Sequence, residues 1–232
     1  ECPMSIQLSG IRGVVFDLDD TLYPERAYTL SGFRAVGAWL QGRIACPSDP
    51  ATRMIELLKA GFHGRVFNQL LAEWNYPEPV QPLVDEMIRV YREHVPAIEL
   101  AADARAVLDA WHGRYRLGLI SDGPEVMQRR KVAALGLERW LDPIVLTDAL
   151  GRAYWKPHPR AFQMIQDAWG LSGRECVYVA DNPSKDFVAP RSLGWRTVQI
   201  CRPDGLYGGL EAPTAGEPEC RAQLLTEIVL TL

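Results

Sequence analysis

The sequence has few cysteines, and their spacing fits neither a metal site nor a redox motif. The five cysteines among 232 residues are widely scattered and form no Cys-x-x-Cys pair and no Cys/His cluster. This distribution excludes the common zinc-binding patterns and argues against a scaffold held together by disulfides. We therefore expect a reducing compartment, with the cytoplasm as the default location, and no structural zinc.

Long apolar runs and long basic runs are also missing. No stretch of about 20 apolar residues is present, so the sequence predicts no membrane-spanning helix. The formal net charge is −4, which disfavours binding to nucleic acid or to an anionic membrane surface. We expect the partner to be a small molecule, and the sequence gives no indication of the oligomeric state.

Two well-known catalytic signatures are absent. The sequence contains no Ser/His/Asp hydrolase pattern and no Gly-rich loop with the Walker lysine, which excludes ordinary nucleotide-triphosphate motors. What the sequence does contain is 47% hydrophobic residues, enough to bury a substantial core. A chain of this length accommodates one domain with a large insertion, or two small domains.

The most informative segment is an apolar run that stops at two carboxylates. Residues 14–16 predict a buried parallel strand, and Asp17 and Asp19 follow it directly. In open α/β sheets ligands bind outside the carboxyl ends of the strands, which places both acids at a candidate active site. Residues two apart in extended backbone point the same way, so one carboxylate could attack while the other handles a proton. The alternative is a solvated turn and helix cap.

A second apolar strand pattern ends in a short polar turn. Residues 115–120 predict a buried strand that runs into Ser121, Asp122 and Gly123. A hydroxyl followed by a Gly-containing turn offers a side-chain donor and free backbone N–H groups, which are suited to phosphate oxygens. The same three residues also occur in ordinary turns.

Two later segments add a lysine and a further pair of acids. Lys156 lies just before a helical pattern at 161–169, and a third strand pattern at 176–180 ends at Asp181, with Asp186 five residues on. Paired carboxylates after a strand suit a hard cation such as Mg²⁺. The alternatives are a solvated lysine and a helix N-cap.

Taken together in this order, the four segments resemble the haloacid dehalogenase-like (HAD) hydrolase superfamily, in its phosphatase branch with a helical, C1-type cap. The resemblance runs from about Arg12 to Gln199. Chance would have to supply every element in order and spacing. The chain departs from the pattern at Ala180, where Gly is common, and at Asp122, where Asn is also frequent. The stretches that carry the resemblance are 16–22, 119–123, 156–157 and 179–186.

The resemblance implies separate roles for the first two acids. Asp17 would be the nucleophile that forms an aspartyl-phosphate, and Asp19 would protonate the leaving oxygen and later deprotonate the attacking water. Because the first of these tasks needs a proton on Asp19, we expect its pKa to be raised and that of Asp17 to be kept low by the metal and the lysine.

The resemblance also implies the residues that bind phosphate. Ser121 and Lys156 would hold phosphoryl oxygens and stabilise charge in the transition state. With Asp122 and Gly123, they make up the expected substrate-binding set.

For the metal, the resemblance implies Mg²⁺ held by the carboxylate of Asp17, the backbone carbonyl of Asp19 and the carboxylate of Asp181. Asp186 would support this site from the outer shell. The physical task of the ion is to offset the repulsion between an anionic phosphate and an anionic nucleophile.

The second aspartate separates two reaction classes. Members of the superfamily that cleave carbon–halogen bonds need no acid for an alkoxide leaving group and generally lack this residue, so Asp19 favours phosphoryl transfer. We expect a Mg²⁺-dependent phosphatase that acts on a small phosphorylated metabolite, either a sugar phosphate or a nucleoside monophosphate. A phosphomutase keeps the same pair and stays open, and a non-catalytic module that binds a phosphate ligand is a weaker alternative.

The order of the predicted elements indicates a core with an insert. After Gly123 helix and strand patterns alternate, which predicts an α/β, Rossmann-like doubly wound parallel sheet with helices on both faces. About a hundred residues separate the first strand from the second, far too many for a simple crossover, and their pattern is helical. We therefore predict a catalytic core over 4–22 and 100–232 and an inserted all-helical cap domain over 23–99.

Individual elements follow from the same patterns. The tail from Arg202 predicts a loop and then a closing strand or helix at 224–232. We predict the cap helices within 28–44, from Ser48-Asp49-Pro50 onwards, and near 54–60, 62–74 and 80–94. We predict further core helices at 102–111, 126–135 and 187–193 and further strands at 144–147 and 196–200.

Specificity should come mainly from the cap, because the core binds what all phosphate substrates share. Residues just after the catalytic loop, in the insert or beside Lys156 are the candidates for contact with the substrate. For each of them, the alternative is a surface, packing or helix-start role. The candidates are Tyr23, Arg26, Arg65, Asn68, Trp74, Trp155 and His158.

Overall fold

The computed structural model describes residues 5–203, 205, 210 and 212–232. The chain forms two compact units. The α/β unit comprises the described residues of Glu1–Glu25 and Glu99–Leu232, and the helical unit comprises Arg26–Ile98. The sequence analysis drew these divisions at 22/23 and 99/100, within three residues of the ones found here.

The α/β unit contains two parallel sheets. Numbered along the chain, the strands are β1 (Ile6–Ser9), β2 (Gly13–Phe16), β3 (Arg116–Ser121), β4 (Ile144–Leu146), β5 (Cys176–Ala180), β6 (Arg196–Ile200), β7 (Cys220–Ala222) and β8 (Ile228–Thr231). A six-stranded sheet has the order β4-β3-β2-β5-β6-β7, and β1 pairs with β8 in a separate two-stranded sheet.

The α-helices are numbered in the same way. The first begins at Glu25, where the first segment of the α/β unit ends, and the next three lie wholly in the helical unit. They are α1 (Glu25–Gln41), α2 (Pro50–Lys59), α3 (Val66–Glu73), α4 (Gln81–Glu93), α5 (Ala102–Trp111), α6 (Glu125–Leu135), α7 (Arg160–Trp169) and α8 (Val188–Ser192).

The strand order places a switch point beside β2. The chain runs outward from β2 through β3 to β4 and then returns to β5 on the opposite side of β2. In doubly wound sheets, ligands bind at the carboxyl ends of the strands where the order reverses in this way. The predicted α/β fold class, a doubly wound parallel sheet, is confirmed.

Helices cover both faces of this sheet, which explains why its central strands are almost continuously apolar. On one face Val15 and Tyr178 share a buried cluster with Phe162 of α7, whose ring lies 4.8 Å from that of Tyr178 in an edge-to-face arrangement. Phe16 points the opposite way, as alternation along a strand requires. Its ring stacks on Trp111 of α5 at 6.2 Å.

The carboxyl-terminal region differs from the prediction in one respect. The closing element is a strand, β8, as one of the two alternatives proposed, but β7 lies in a segment predicted to be loop. This strand has three residues and pairs along the sheet with β6 alone, so tertiary pairing rather than local pattern creates it. Residues 204, 206–209 and 211 of the predicted loop lie outside the described residues.

Every residue of the helical unit is described, and its regular structure is helical. The predicted pieces from Pro50 and at 54–60 are one helix, α2, whose N-cap Asp49 accepts a hydrogen bond from the backbone N–H of Thr52 at 2.7 Å. Among the described residues, no helix is both long enough and apolar enough to cross a bilayer. The core of the unit is formed by apolar side chains from all four of its helices, chiefly Phe33, Val36, Leu40, Met54, Leu57, Leu70, Val84 and Met87.

Candidate active site

The loops after β2, β3 and β5 meet at one cavity of the α/β unit. Five of the eight residues predicted for catalysis, phosphate binding or metal binding lie in its wall: Asp17, Asp19, Asp122, Gly123 and Asp181. The other three, Ser121, Lys156 and Asp186, are buried and do not line it. Five more residues complete the lining: Glu25, Met127, Trp155, Asn182 and Lys185. Because the carboxyl ends of parallel strands share one edge of the sheet, residues far apart in sequence meet here.

Asp17 lies at the end of β2 and is 6% exposed. Its backbone N–H donates to the carbonyl of Val179 at 2.9 Å, which fixes the end of β2 against β5. One carboxylate oxygen, Oδ1, accepts a hydrogen bond from Lys156 Nζ at 2.5 Å. Burial raises the pKa of Asp17 to about 6, although the charge of Lys156 acts in the opposite direction.

Lys156 is a buried cation surrounded by oxygen atoms. Its Nζ lies 2.5 Å from Asp17, 2.8 Å from Asp186 and 3.0 Å from the hydroxyl of Tyr178. Burial alone would lower the pKa of Lys156, but the charges of Asp17 and Asp186 hold it well above its usual value. The side chain is therefore an ammonium group, able to stabilise further negative charge beside Asp17.

Three buried carboxylates form an acidic cluster. The carboxylate oxygens of Asp17, Asp181 and Asp186 come within 4.8 Å of one another. Oδ2 of Asp181 is buried without a hydrogen-bond partner, and burial, with the charges of Asp17 and Asp186, raises the pKa of Asp181 to about 9. Lys156 contacts only two of these three acids. Closely spaced oxygens with unbalanced negative charge are what a hard divalent cation requires, so the residues fit Mg²⁺.

Asp186 is engaged from two sides. Its Oδ2 accepts a hydrogen bond from the backbone N–H of Asn182 at 3.0 Å, and its Oδ1 lies beside Lys156. It is fully buried and fixes both the loop after β5 and the lysine. These contacts are compatible with the supporting role that the sequence analysis assigned to it.

Ser121 and Gly123 shape the turn after β3. The hydroxyl oxygen of Ser121 accepts a hydrogen bond from Gln128 Nε2 at 2.6 Å. Gly123 has a φ of +122°, a conformation that favours glycine, and a Cβ there would lie 3.2 Å from the Gln128 side chain. The turn therefore packs closely on the start of α6.

Asp122 uses its side chain as well as its backbone. Its carboxylate accepts hydrogen bonds from Thr147 Oγ1 at 2.7 Å, the backbone N–H of Lys156 at 3.2 Å and Lys185 Nζ at 3.1 Å. Burial alone would raise the pKa of Asp122, but the charges of Lys156 and Lys185 hold it below its usual value. This residue joins three segments of the site: the turn after β3, the loop before α7 and the loop after β5.

Asp19 has different surroundings from Asp17. Its Oδ1 accepts hydrogen bonds from the hydroxyl of Tyr23 and from Lys131 Nζ, the latter at 2.7 Å, and its Oδ2 accepts from Gln128 Nε2 at 3.0 Å. Burial would raise the pKa of Asp19, but Lys131, Tyr23 and Gln128 lower it.

The protein environment alone, without the ion that the expectation included, raises the pKa of Asp17 and lowers that of Asp19. The cause on one side is the burial of Asp17. On the other side it is Lys131, which lies 112 residues from Asp19 in the sequence and was not among the predicted site residues. The expected order of the two pKa values, which counts the charge of the metal, stays a prediction.

Comparison with known families identifies the chain. A family model described as haloacid dehalogenase-like hydrolase matches residues 11–194. The chain belongs to the HAD-like hydrolase family. This confirms the resemblance inferred from the sequence.

Proteins with similar sequences include phosphatases. A glyceraldehyde 3-phosphate phosphatase from Methanocaldococcus jannaschii is 25% identical over 206 residues, which cover 87% of this chain and 89% of that protein. A phosphoserine phosphatase from Thermus thermophilus is 31% identical over 185 residues, which cover 79% of this chain and 70% of that protein.

A solved structure shows the same fold. The HAD-hydrolase YfnB from Bacillus subtilis, whose structure was solved bound to magnesium, has a TM-score of 0.66 at 19% identity, covering 94% of this chain and 96% of that one. A 2-haloacid dehalogenase from Pseudomonas syringae has a TM-score of 0.63 at 22% identity, with the same coverage. At these identities the likeness concerns the fold.

Two residues of this HAD hydrolase were missed by the sequence analysis. Gln128 and Lys131 are both fully buried on α6, where they share the inward face with Val132 and Leu135. These four positions follow the i, i+3, i+4, i+7 spacing of one helix face. A glutamine and a lysine at core positions of the helix that follows the turn at Ser121, Asp122 and Gly123 are the signal that could have revealed them.

The residues proposed to contact substrate have different positions. Tyr23 was expected at the mouth of the site, but it is fully buried beneath Asp19, so that expectation is wrong. Trp155 does line the cavity. His158 is exposed, and its Nδ1 accepts a hydrogen bond from the backbone N–H of Arg160 at the start of α7.

The remaining candidates belong to the helical unit. Arg26, Arg65 and Asn68 are exposed on it. Trp74 is partly buried against the hydrophobic core of the same unit. A role for these four residues in specificity stays a prediction.

Proposed function

We propose that this HAD hydrolase is a Mg²⁺-dependent phosphatase that hydrolyses a small phosphorylated metabolite through an aspartyl-phosphate intermediate. The observation that carries the proposal is the pair Asp17 and Asp19 at the switch point of the sheet, with a buried ammonium group on the first. A dehalogenase has no need of the second acid. The phosphatase names of the relatives from Methanocaldococcus jannaschii and Thermus thermophilus support the same reaction.

In the first step a carboxylate oxygen of Asp17 attacks phosphorus, and the bond from phosphorus to the leaving oxygen breaks. Asp19, whose contacts favour the carboxylate, first takes up a proton from solvent and then delivers it to that oxygen, so the product leaves as an alcohol. In the second step Asp19 takes a proton from water, whose oxygen attacks phosphorus and releases inorganic phosphate and free Asp17.

The phosphoryl group needs compensating positive charge and hydrogen-bond donors. Lys156 and the hydroxyl of Ser121 supply a cation and a donor, and the backbone at Asp122 and Gly123 supplies N–H groups. Each is held by its neighbours before substrate arrives, so little reorganisation is required during the reaction.

Mg²⁺ would be held by the carboxylates of Asp17 and Asp181 and the backbone carbonyl of Asp19, with Asp186 in support. When bound, it supplies charge that offsets repulsion between the phosphoryl group and Asp17. The buried, unpartnered oxygen of Asp181 supports this assignment.

For the substrate we propose a sugar phosphate or a nucleoside monophosphate. The names of these relatives, glyceraldehyde 3-phosphate phosphatase and phosphoserine phosphatase, support a small phosphorylated compound as the broader class.

The test is release of inorganic phosphate from sugar phosphates, nucleoside monophosphates and an aryl phosphate, each with Mg²⁺ and with chelator. We expect release that depends on metal, with one substrate class preferred. Absence of release from every compound would contradict the proposal. An isomerised sugar phosphate in place of inorganic phosphate would identify a phosphomutase instead.

A further inference from the structure

Two polar side chains on α6 are buried where a core helix normally presents apolar groups. Gln128 and Lys131 are both completely buried, with 0% exposure. Burial of an amide or an ammonium group is costly unless its polar atoms are paired. The partners of these groups therefore indicate what the burial achieves.

Both side chains converge on Asp19. Lys131 Nζ lies 2.7 Å from Oδ1, and Gln128 Nε2 lies 3.0 Å from Oδ2, so each carboxylate oxygen has its own donor from the same helix. Tyr23 adds a third donor, at Oδ1. A carboxylate has about four lone-pair sites, so three donors leave room for one further contact. The Asp19 side chain is still 22% exposed and lines the cavity.

Gln128 has a second contact besides the one with Asp19. The same Nε2 lies 2.6 Å from the hydroxyl oxygen of Ser121. A hydroxyl that accepts this hydrogen bond keeps its own O–H for donation to another oxygen. Gln128 therefore links the proposed acid and the proposed phosphate-binding hydroxyl through one nitrogen atom.

We propose that Lys131 and Gln128 are positioning residues for proton transfer by Asp19. Lys131 fixes the carboxylate in the orientation that faces the cavity, and Gln128 fixes its distance from Ser121. The inference rests on the proposed phosphatase function. It adds that the inward face of α6, rather than the catalytic loop alone, sets the geometry of the acid.

A purely structural role for the same contacts makes a different prediction. If Lys131 and Gln128 only stabilised the fold, their loss would reduce turnover of all substrates alike. If they position the acid, the loss depends on the leaving group. A poor alkoxide leaving group needs a proton, whereas dinitrophenolate leaves without one.

The experiment compares the rate of the first step, measured as release of the leaving group in a single turnover, for an alkyl phosphate and for 2,4-dinitrophenyl phosphate, both with saturating Mg²⁺. This rate leaves out the second step, in which Asp19 acts as a base on the same aspartyl-phosphate for both substrates. For Lys131→Met we expect the first-step rate to fall by about 10- to 100-fold on the alkyl phosphate and by less than about 5-fold on the aryl phosphate. Lys131→Arg, which keeps a cation and N–H donors, should recover part of the loss. Gln128→Leu should show the same selectivity, with an added rise in KM because Ser121 loses its partner.

The matched control is Val132→Ala, which alters an apolar residue on the same buried face of α6. We expect it to change both first-step rates by the same factor, if at all. In the Asp19→Asn background, Lys131→Met should have no further effect on the alkyl phosphate, because residues that act through one group are not additive.

Each result decides the question. Equal losses in the first-step rate on the two substrates, or full additivity with Asp19→Asn, would refute positioning and leave a structural role. If Lys131→Met does not fold, as judged by circular dichroism, Lys131→Arg and Gln128→Leu carry the same comparison. A wild-type protein that hydrolyses neither substrate would refute the proposed function itself, whereas an active wild type with unselective variants would refute only the positioning role.

Discussion

Two carboxylates separated by one residue have opposite surroundings in this protein. Asp17 lies in a cluster of acids that shares one ammonium group, and its pKa is raised to about 6. Asp19 is contacted by the side chains of Lys131, Gln128 and Tyr23, which lower its pKa. The same residue type on one loop is thus prepared for different partners. The carboxylates around Asp17 need a cation to balance their charge, whereas the Asp19 carboxylate is held in place by three hydrogen-bond donors.

The largest effect should come from removing the first carboxylate. Asp17→Asn keeps the shape of the side chain but removes its charge and much of its nucleophilicity, so we expect phosphate release to fall by on the order of 10⁴-fold or more. Phosphate assays and circular dichroism would show a folded, inactive protein. The matched control is Asp167→Asn, an exposed carboxylate on α7, which should leave activity unchanged. Substantial phosphate release by Asp17→Asn would reject the nucleophile assignment.

Removing the second carboxylate should have a smaller and more selective effect. Asp19→Asn cannot deliver or accept the proton, so we expect kcat on alkyl phosphates to fall by about 10²- to 10⁴-fold. The first step on an activated aryl phosphate should survive better, which a burst of phenol release would show. Loss of that burst together with turnover would mean that Asp19 acts on Asp17 or on metal binding instead.

The sequence predicted the part of this comparison that depends on strand ends. Asp17, Ser121 and Asp181 each follow an apolar run, and parallel strands bring their carboxyl ends to one edge. The parallel sheet and the three segments at its edge therefore followed from local pattern, whereas the strand order did not. The burial of Asp17 and its distance to Lys156 did not, because they depend on packing across 139 residues of sequence.

The other half of the comparison was not predicted, for a related reason. Lys131 and Gln128 lie on a helix whose position was predicted correctly, but a lysine in a helix is ordinarily solvent-exposed. Only the three-dimensional contact with Asp19 shows that these two polar residues belong to the site. Tyr23 was assigned to the mouth because it follows the loop of Asp17 and Asp19, but its side chain is fully buried and its hydroxyl donates to Asp19.

A third prediction sharpens the contrast at the acidic cluster. Asp181→Asn removes one charge and one carboxylate oxygen from the cluster, so we expect the Mg²⁺ concentration for half-maximal activity to rise by about 10- to 100-fold. A titration of activity against Mg²⁺ would measure this change. The comparison variant is Asp19→Asn, which alters a carboxylate outside the cluster and should leave the midpoint nearly unchanged. An unchanged midpoint in Asp181→Asn would exclude Asp181 as a ligand.

The smallest expected effect concerns stability rather than turnover. An ion that binds the folded chain at 100 times its Kd stabilises it by about 2.7 kcal/mol, and each kcal/mol raises Tm by about 2–4 °C for a chain of this size. Mg²⁺ should therefore raise Tm by roughly 5–11 °C in the wild type. In Asp181→Asn the rise in Tm should be smaller at the same Mg²⁺ concentration.

Because repulsion among the three carboxylates disfavours the metal-free cluster, Asp181→Asn should also melt slightly above the wild type in chelator. A thermal shift assay with and without Mg²⁺ tests both expectations. Suppose that Mg²⁺ does not change the Tm of the wild type, while Asp181→Asn melts at a higher temperature. The three acids would then repel one another without binding a cation, and the cluster would only destabilise the fold around Lys156.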